Sequence, residues 1–246
     1  MRIDTGALKN LWRQAFGDPI DFIDGFFREG FSPDRCGCVY ENGQLGAALY
    51  WFDCLWNGQR VAYIYAVATE EMLRGRGLCR QLMEETHSRL QAQGYAGAVL
   101  VPAEPGVAAM YEKFGYRYFC PMKKQRVLPA EKALDLQVIN PEVYGQRRIH
   151  RLPQGGIRQD GNTLAFLGTY ARFYTAGDAL FCAAQEGATL YFQEFFGETA
   201  LLPGIVAAFG AENGVVRIYG EGEPFAMYRS LTRDDALPSY FGIALD

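Results

Sequence analysis

Histidine is nearly absent: His87 and His150 are the only two in 246 residues, and they lie far apart in sequence. None of the six cysteines forms a Cys-x-x-Cys pair, so the usual ligand sets of a zinc site are missing and no metal is expected. Cys36 and Cys38 alternate along a strand and would share one face, but no histidine is near enough to complete a site with them. Reduced packing cysteines in a cytoplasmic protein are the expectation. There is no Lys/Arg-rich run and the net charge is −4, which argues against nucleic acid as a partner. No apolar stretch reaches the ~18 residues of a membrane span, so no membrane partner is expected. Met1-Arg2-Ile3-Asp4 leads straight into a capped helix, and no signal peptide is read there. Two nucleotide motifs are missing as well. No Gly-Lys-Ser/Thr marks a nucleoside-triphosphate loop, and Gly75 and Gly77 are followed by Arg80 where a dinucleotide fingerprint needs a third small residue.

What is present is a chain that is 49% hydrophobic and 14% aromatic, long enough for two domains with sizeable cores. Its most informative stretch runs from Val67 to Cys79. Val61-Ala62-Tyr63-Ile64-Tyr65-Ala66 reads as a β-branched and aromatic strand ahead of it. Behind it, Leu78, Cys79, Leu82, Met83, Thr86 and Leu90 fall on one helical face, with a stop at Gly94. A strand-to-helix junction leaves unpaired amides at the positive end of the helix dipole. Gly75 and Gly77 let an anion approach that backbone closely, so the junction reads as a phosphate site.

The segment Arg74-Gly75-Arg76-Gly77-Leu78-Cys79 resembles the acyl-CoA pyrophosphate loop of the GNAT N-acetyltransferase superfamily, Arg/Gln-x-x-Gly-x-Gly/Ala. The last position departs from it, with Cys79 for Gly or Ala. A second block follows the apolar strand Ala98-Val99-Leu100-Val101. Glu104-Pro105-Gly106-Val107-Ala108-Ala109-Met110-Tyr111-Glu112-Lys113-Phe114-Gly115-Tyr116 is similar to the family's second cofactor-contacting helix, with Glu104 in place of the usual Asn. The resemblance implies acetyl-CoA as cosubstrate, its pantetheine arm held by the backbone of Val67, Ala68 and Thr69. It implies the diphosphate on the amides of Arg74, Gly75, Arg76, Gly77, Leu78 and Cys79. It also implies Tyr111 as the acid for the departing thiolate, and an amide near Val67 facing the oxyanion.

An α/β fold with mixed sheets is expected, a GNAT acyltransferase domain over residues 1–130 followed by a GNAT-like α+β domain over 131–246. In the first, Thr5 caps a helix carrying Leu8, Leu11, Trp12 and Ala15, and Asp18-Pro19 opens a second with Ile20, Ile23 and Phe27 on one side. Strands Cys36–Tyr40, Leu45–Phe52 and Val61–Val67 are joined by Asn42-Gly43 and Asn57-Gly58, both strong hairpin signals. One further strand is read from Tyr116 to Val127. The pattern relaxes at Leu128–Lys132, where the boundary is placed. The second half reads as strand Leu136–Ile139, helices Pro141–Leu152 and Asn162–Tyr174, strands Ala179–Gln185 and Thr189–Phe196, helix Thr199–Phe209, and strands Val215–Tyr219 and Phe225–Leu231. Its equivalent junction, Glu194-Phe195-Phe196-Gly197-Glu198, is acidic and would repel a pyrophosphate, so this half is read as a degenerate repeat; an unrelated α+β domain is the alternative.

The activity implied is acetyl transfer to a primary amine of a small molecule or peptide, by direct attack in a ternary complex. A non-catalytic acyl-CoA sensor would keep the loop without needing Tyr111, and an aminoacyl-tRNA-dependent ligase would need a basic surface that is missing. Phe22, Phe26, Phe27, Phe31, Tyr50, Trp51 and Phe52 are candidates for the acceptor side. Asp53, Glu41, Glu104 and the terminal Asp246 are candidates for the base, with none favoured, because Tyr63, Ile64 and Tyr65 stand where many relatives carry Glu. His87 reads as structural.

Overall fold

Local signals place most elements of this computed structural model, which describes residues 4–245. The lead-in Met1–Ile3 and the candidate base Asp246 lie outside the described residues. Helix α1 (Thr5–Phe16) is capped by Asp4, not Thr5: its carboxylate accepts from the Gly6 and Ala7 amides at 2.9 and 3.2 Å. In α2 (Ile20–Glu29) the buried stripe is Ile23 and Phe26, while Ile20 is exposed. Strands β1 (Cys36–Glu41), β2 (Gln44–Trp56) and β3 (Gln59–Thr69) form an antiparallel meander. Both Asn-Gly turns take positive φ at each central residue (Asn42 51°, Gly43 81°, Asn57 48°, Gly58 77°), the turn geometry that matches strand twist. Then come α3 (Leu78–Ala92), β4 (Gly97–Leu100), α4 (Pro105–Glu112) and β5 (Arg117–Phe119).

The long strand read over Tyr116–Val127 breaks at Cys120, which sits at φ 57°, and continues as β6 (Met122–Val127). Beyond it lie β7 (Gln137–Ile139), α5 (Pro141–Ile149), β8 (Arg158–Gln159), α6 (Asn162–Leu167), β9 (Arg172–Ala176), β10 (Ala179–Glu186), β11 (Thr189–Phe196), α7 (Leu202–Ala208), β12 (Asn213–Tyr219) and β13 (Ala226–Ser230). The helix expected as far as Tyr174 stops at Leu167, and the aromatic Phe173-Tyr174-Thr175 run enters a strand instead.

Two compact units result: residues 1–118 with 227–237, and 119–226 with 238–246. The division thus differs from the boundary read at Leu128–Lys132. That relaxed stretch is a loop within the second unit, where the Ala130 and Leu134 amides donate to the Pro203 and Gly204 carbonyls. Sheet order in the first unit is β1-β2-β3-β4-β13-β5, with β3 and β4 parallel and β13 antiparallel to β4. The second sheet runs β6-β12-β11-β10-β9-β7, with β11 and β12 parallel across α7 and β6 antiparallel to β12. β13 and β6 therefore hold equivalent places, and each comes from the other half of the sequence. No helix among the described residues is long and apolar enough to cross a membrane.

The insertion of β13 leaves no room for a side chain at Gly97, where a Cβ would run into the Tyr228 ring. Gly97→Ala should destabilise the protein by about 1–3 kcal/mol through overpacking. Urea unfolding checks it, and an unshifted midpoint would contradict the close β4–β13 approach.

Candidate active site

β3 pairs with β4 only at Val61–Gly97, Ala62–Ala98 and Tyr63–Val99. Beyond those pairs β4 ends at Leu100 while β3 runs on to Thr69, held on its other side by β2. The β2–β3 register shifts between Ala48 and Tyr50, because Ala66 and Val67 together face Leu49. Ala66 takes φ 48°, a left-handed conformation that alanine adopts at a cost. The bulge bends β3 at the residues where the pantetheine arm and the oxyanion amide were expected. Nothing in the composition of Ala66-Val67-Ala68 signals it.

After β3 the chain makes a short 3₁₀ turn, Glu71–Leu73, and two left-handed glycines, Gly75 at φ 78° and Gly77 at φ 84°. Gly77 caps α3 without a side-chain hydrogen bond, so no cap side chain covers the first-turn amides. No atom lies within 4 Å of where a Cβ would stand on Gly75 or Gly77. Arg74 and Arg76 are exposed; Arg74 Nε donates to the Thr69 carbonyl at 3.4 Å, and Arg76 lies 3.4 Å from Glu41. So exposed a pair adds little to stability. It leaves a positive, uncapped helix start with open backbone in front of it.

Tyr111 projects from α4 into the core cluster that Val67, Leu73 and Cys79 also pack against. Its ring meets Phe114 and Tyr116 edge-on at 6.4 and 5.8 Å. No hydrogen bond to its hydroxyl is made among the described residues. Burial, and after it the neighbouring Cys79, push its pKa well above the ordinary phenol value. Tyr111 is therefore protonated at neutral pH and has its O–H to give.

On the opposite face of the sheet, Trp12, Phe26, Phe27, Phe31, Tyr50 and Tyr65 form one aromatic cluster, with centroid separations such as 4.7 Å for Trp12–Phe26 and 4.8 Å for Phe27–Phe31. Trp51, expected among them, points the other way: it packs in the α3 core and its indole N–H donates to the Tyr95 hydroxyl at 3.3 Å. Of the candidate bases, Asp53 is engaged by Arg35 at 3.3 Å, Arg60 at 3.4 Å and the Tyr95 hydroxyl. Glu41 is engaged by Arg76. Glu104 stands exposed at the start of α4. Among the described residues no group of three His, Cys, Asp or Glu side chains could hold a metal ion.

The second unit repeats the frame but not the opening. β11 and β12 pair from Thr189–Asn213 to Phe192–Val216, and a bulge at Gln193 precedes Glu194. Glu194, one of the two acids of the junction read as repelling a pyrophosphate, is enclosed in the protein. It is buried against Arg148, with contacts of 2.6 and 2.8 Å, and accepts from the Tyr144 and Tyr240 hydroxyls at 2.7 and 2.8 Å. Beyond the pairing, Tyr240 and Gly242 sit against Glu194 of β11 and Tyr219 of β12: the Gly242 carbonyl accepts from Tyr219, and Ile243 bonds both ways with the Gln159 amide. A side chain on Gly242 would strike the Glu194 carboxylate.

Residues 4–119 match the family model of the acetyltransferase (GNAT) domain. No curated protein gives a significant match by sequence. Among solved structures, a GCN5-related N-acetyltransferase from Kribbella flavida is 16% identical, with a TM-score of 0.70 over 92% of this chain and 68% of that one. An acetyltransferase from Pyrococcus horikoshii gives a TM-score of 0.65 at 13% identity, over 97% and 90%. A tandem GNAT protein from the clavulanic acid biosynthesis pathway gives 0.58 at 13% identity, over 94% and 95%. At such identities the likeness is one of fold, and it extends over both halves of the chain.

Sequence reasoning did not find the partner of His87, because it comes from β13. Arg229 lies 2.8 Å from His87 Nδ1 and donates to the Phe114 carbonyl at 2.6 Å, while His87 Nε2 lies 2.9 Å from the Tyr116 hydroxyl. A cavity of about 290 Å³ opens beside them, lined by Glu84, Gln91 and Thr232 among others. Burial, and then the Arg229 charge, lower the His87 pKa from 6.5 to about 3. The folded protein keeps His87 neutral where the unfolded chain protonates it. Its contribution is therefore complete above pH 6.5 and is lost as pH falls toward 3. Stability should drop by a few kcal/mol across that window, on the order of 1.4 per pKa unit. His87→Gln should flatten this dependence in chemical denaturation at stepped pH, and an unchanged slope would assign the loss to other groups.

Proposed function

Residues 4–119 of this chain belong to the GNAT acetyltransferase family, and from that premise we propose that the protein moves an acetyl group from acetyl-CoA to a primary amine of a small molecule or peptide. The observation that carries the reading is the gap opened between β3 and β4 directly in front of an uncapped α3. The acyl-CoA supplies an activated thioester. The free edge of β3 at Val67, Ala68 and Thr69 holds the pantetheine arm as an added strand. The Arg74, Gly75, Arg76, Gly77, Leu78 and Cys79 amides hold the diphosphate, and the space in front of both glycines fits that role. The bulge amide at Val67 donates to the carbonyl oxygen as negative charge develops on it. Tyr111 donates its O–H to the leaving sulfur. The six cysteines form no disulfide, which fits a reducing, cytoplasmic setting. A turnover assay with acetyl-CoA and a panel of amines, reading free thiol, tests the activity directly.

Gly77→Val should abolish acetyl-CoA binding, because a branched side chain fills the open space and resists φ 84°. Since Tyr240 and Gly242 pack against Glu194 and Tyr219 beyond the strand pairing of the second unit, calorimetry should saturate at one cofactor per chain. Unchanged affinity in a folded Gly77→Val protein, or two equivalent sites, would overturn these assignments.

Tyr111→Phe should lower kcat by about 10²-fold, the lower end of general acid catalysis, while the dissociation constant of acetyl-CoA stays near the wild-type value. Full turnover without the hydroxyl would make Tyr111 a packing residue and favour a non-catalytic acyl-CoA sensor.

A further inference from the structure

Cys36 and Cys38 take no part in acetyl transfer as proposed. Both point away from α3, because Gly37 between them is the residue that backs onto Thr86 and Leu82. Their sulfurs lie 3.6 Å apart on β1, the edge strand of its sheet, with Cys36 buried and Cys38 half-buried. Across the ladder they face Tyr50 and Ala48. Arg89 reaches over from α3 and donates to the Cys36 carbonyl at 3.0 Å.

The two sulfurs differ in character. The Cys36 thiol, followed by the Tyr40 hydroxyl and the Arg89 charge, favours the Cys38 thiolate and lowers its pKa against the effect of burial. The same contact between the two sulfurs, and burial, push the Cys36 pKa far up. Burial raises Cys79, takes Cys120 up to about 11, and raises Cys182 well above the thiol range. A half-buried cysteine whose thiolate form is favoured, beside a buried thiol, is the arrangement of an attacking and a resolving cysteine.

We propose that Cys38 and Cys36 form an oxidant-sensitive dithiol that reacts with hydrogen peroxide and closes to an intrachain disulfide. The Cys38 thiolate attacks one peroxide oxygen; the S–O bond forms as the O–O bond breaks, and the departing hydroxide is protonated by solvent. The Cys36 thiol gives its proton to solvent and attacks the Cys38 sulfenic acid. The S–S bond then forms as the S–O bond breaks, and a second water leaves. Two electrons pass from the sulfurs to the peroxide, and a small dithiol reverses the change. Same-face neighbours on a strand stand ~6.6 Å apart at Cα, near the upper end of the ~4.4–6.8 Å that disulfides span. Closure therefore draws β1 in at Gly37, which has no side chain to obstruct it. The outer edge position of β1 gives the strand room to pucker.

The test uses the full chain and one equivalent of hydrogen peroxide. The expected product is 2 Da lighter (two hydrogens, as in the balanced step), with the bridge mapped to Cys36–Cys38 by fragmentation and removed by dithiothreitol. In Cys36→Ser the reaction should stop at a sulfenic acid on Cys38 that dimedone traps, and Cys38→Ser should form no bridge. At pH 7, iodoacetamide should label Cys38 about tenfold faster than Cys79 or Cys120. A bridge elsewhere, or no bridge together with equal labelling rates, overturns the proposal. If a serine variant fails to fold by circular dichroism, the wild-type labelling and mapping decide. None of these readouts involves acetyl-CoA, so their failure is distinct from failure of the acetyltransferase reading.

Discussion

The departure of β3 from β4 is the constraint on which the candidate site depends. Parallel strands joined by a helix normally stay paired along their shared length, and here the pairing lasts from Val61 to Tyr63. Two features hold the strands apart. On one side the Ala66–Val67 bulge bends β3 while β2 keeps hold of Ala68 and Thr69. On the other, β13 adds to the far edge of β4 and ties it into the rest of the sheet at Gly97–Leu100. What opens between them is a strand edge with amides and carbonyls free of ladder bonds, ending at the positive start of α3. The left-handed Ala66 is a local cost of roughly 1–2 kcal/mol that the β2 ladder must outweigh for the bend to persist.

The second unit shows what becomes of the same frame without the loop. It has the antiparallel β9-β10-β11 run, the parallel β11–β12 pair across a helix, and a bulge in the matching strand. Opening such a frame exposes polar backbone that must find partners. In the first unit a ligand can supply them. In the second, Gly242 lies against Glu194 and accepts from the Tyr219 hydroxyl, Ile243 bonds the Gln159 side chain, and the Arg148–Glu194 pair is closed off by two tyrosine hydroxyls and Gln159. A buried pair so fully bonded is tolerable because neither charge is left unmatched; losing one partner would strand the other. Of the two acids at this junction, Glu194 is thus structural, while Glu198 stands exposed.

Legibility from sequence followed the range of the interactions. Both Asn-Gly turns and the two glycines between β3 and α3 are set within a few residues, and each is where the residue pattern put it. Features set by distant partners were not readable. The first helix cap is a short-range exception: Asp4 displaced Thr5 because its carboxylate reaches the Gly6 and Ala7 amides. Trp51 faces α3 because the β2 alternation sends Tyr50 and Phe52 to the other side. The exchange of β6 and β13 could not be inferred, since either strand would satisfy the same alternation in either sheet. Arg229 reaches His87 only through that exchange, and so the one strongly perturbed histidine also lacked its partner in the sequence.

Burial also shapes what Tyr111 can do in its proposed role. A general acid works best with a pKa near the working pH, and desolvation moves this phenol the other way. A free thiol ionises near ~8.5, so complete transfer of the Tyr111 proton to the departing sulfur is uphill by more than a pKa unit. The phenol can still donate a short, charge-assisted hydrogen bond as charge gathers on sulfur, in a site where low dielectric strengthens it. Its contribution is then a shared proton that stabilises the transition state, with final protonation of the thiolate left to the ammonium released by the attacking amine or to solvent. That division of labour needs the hydroxyl to be unengaged beforehand, which is how the structure holds it.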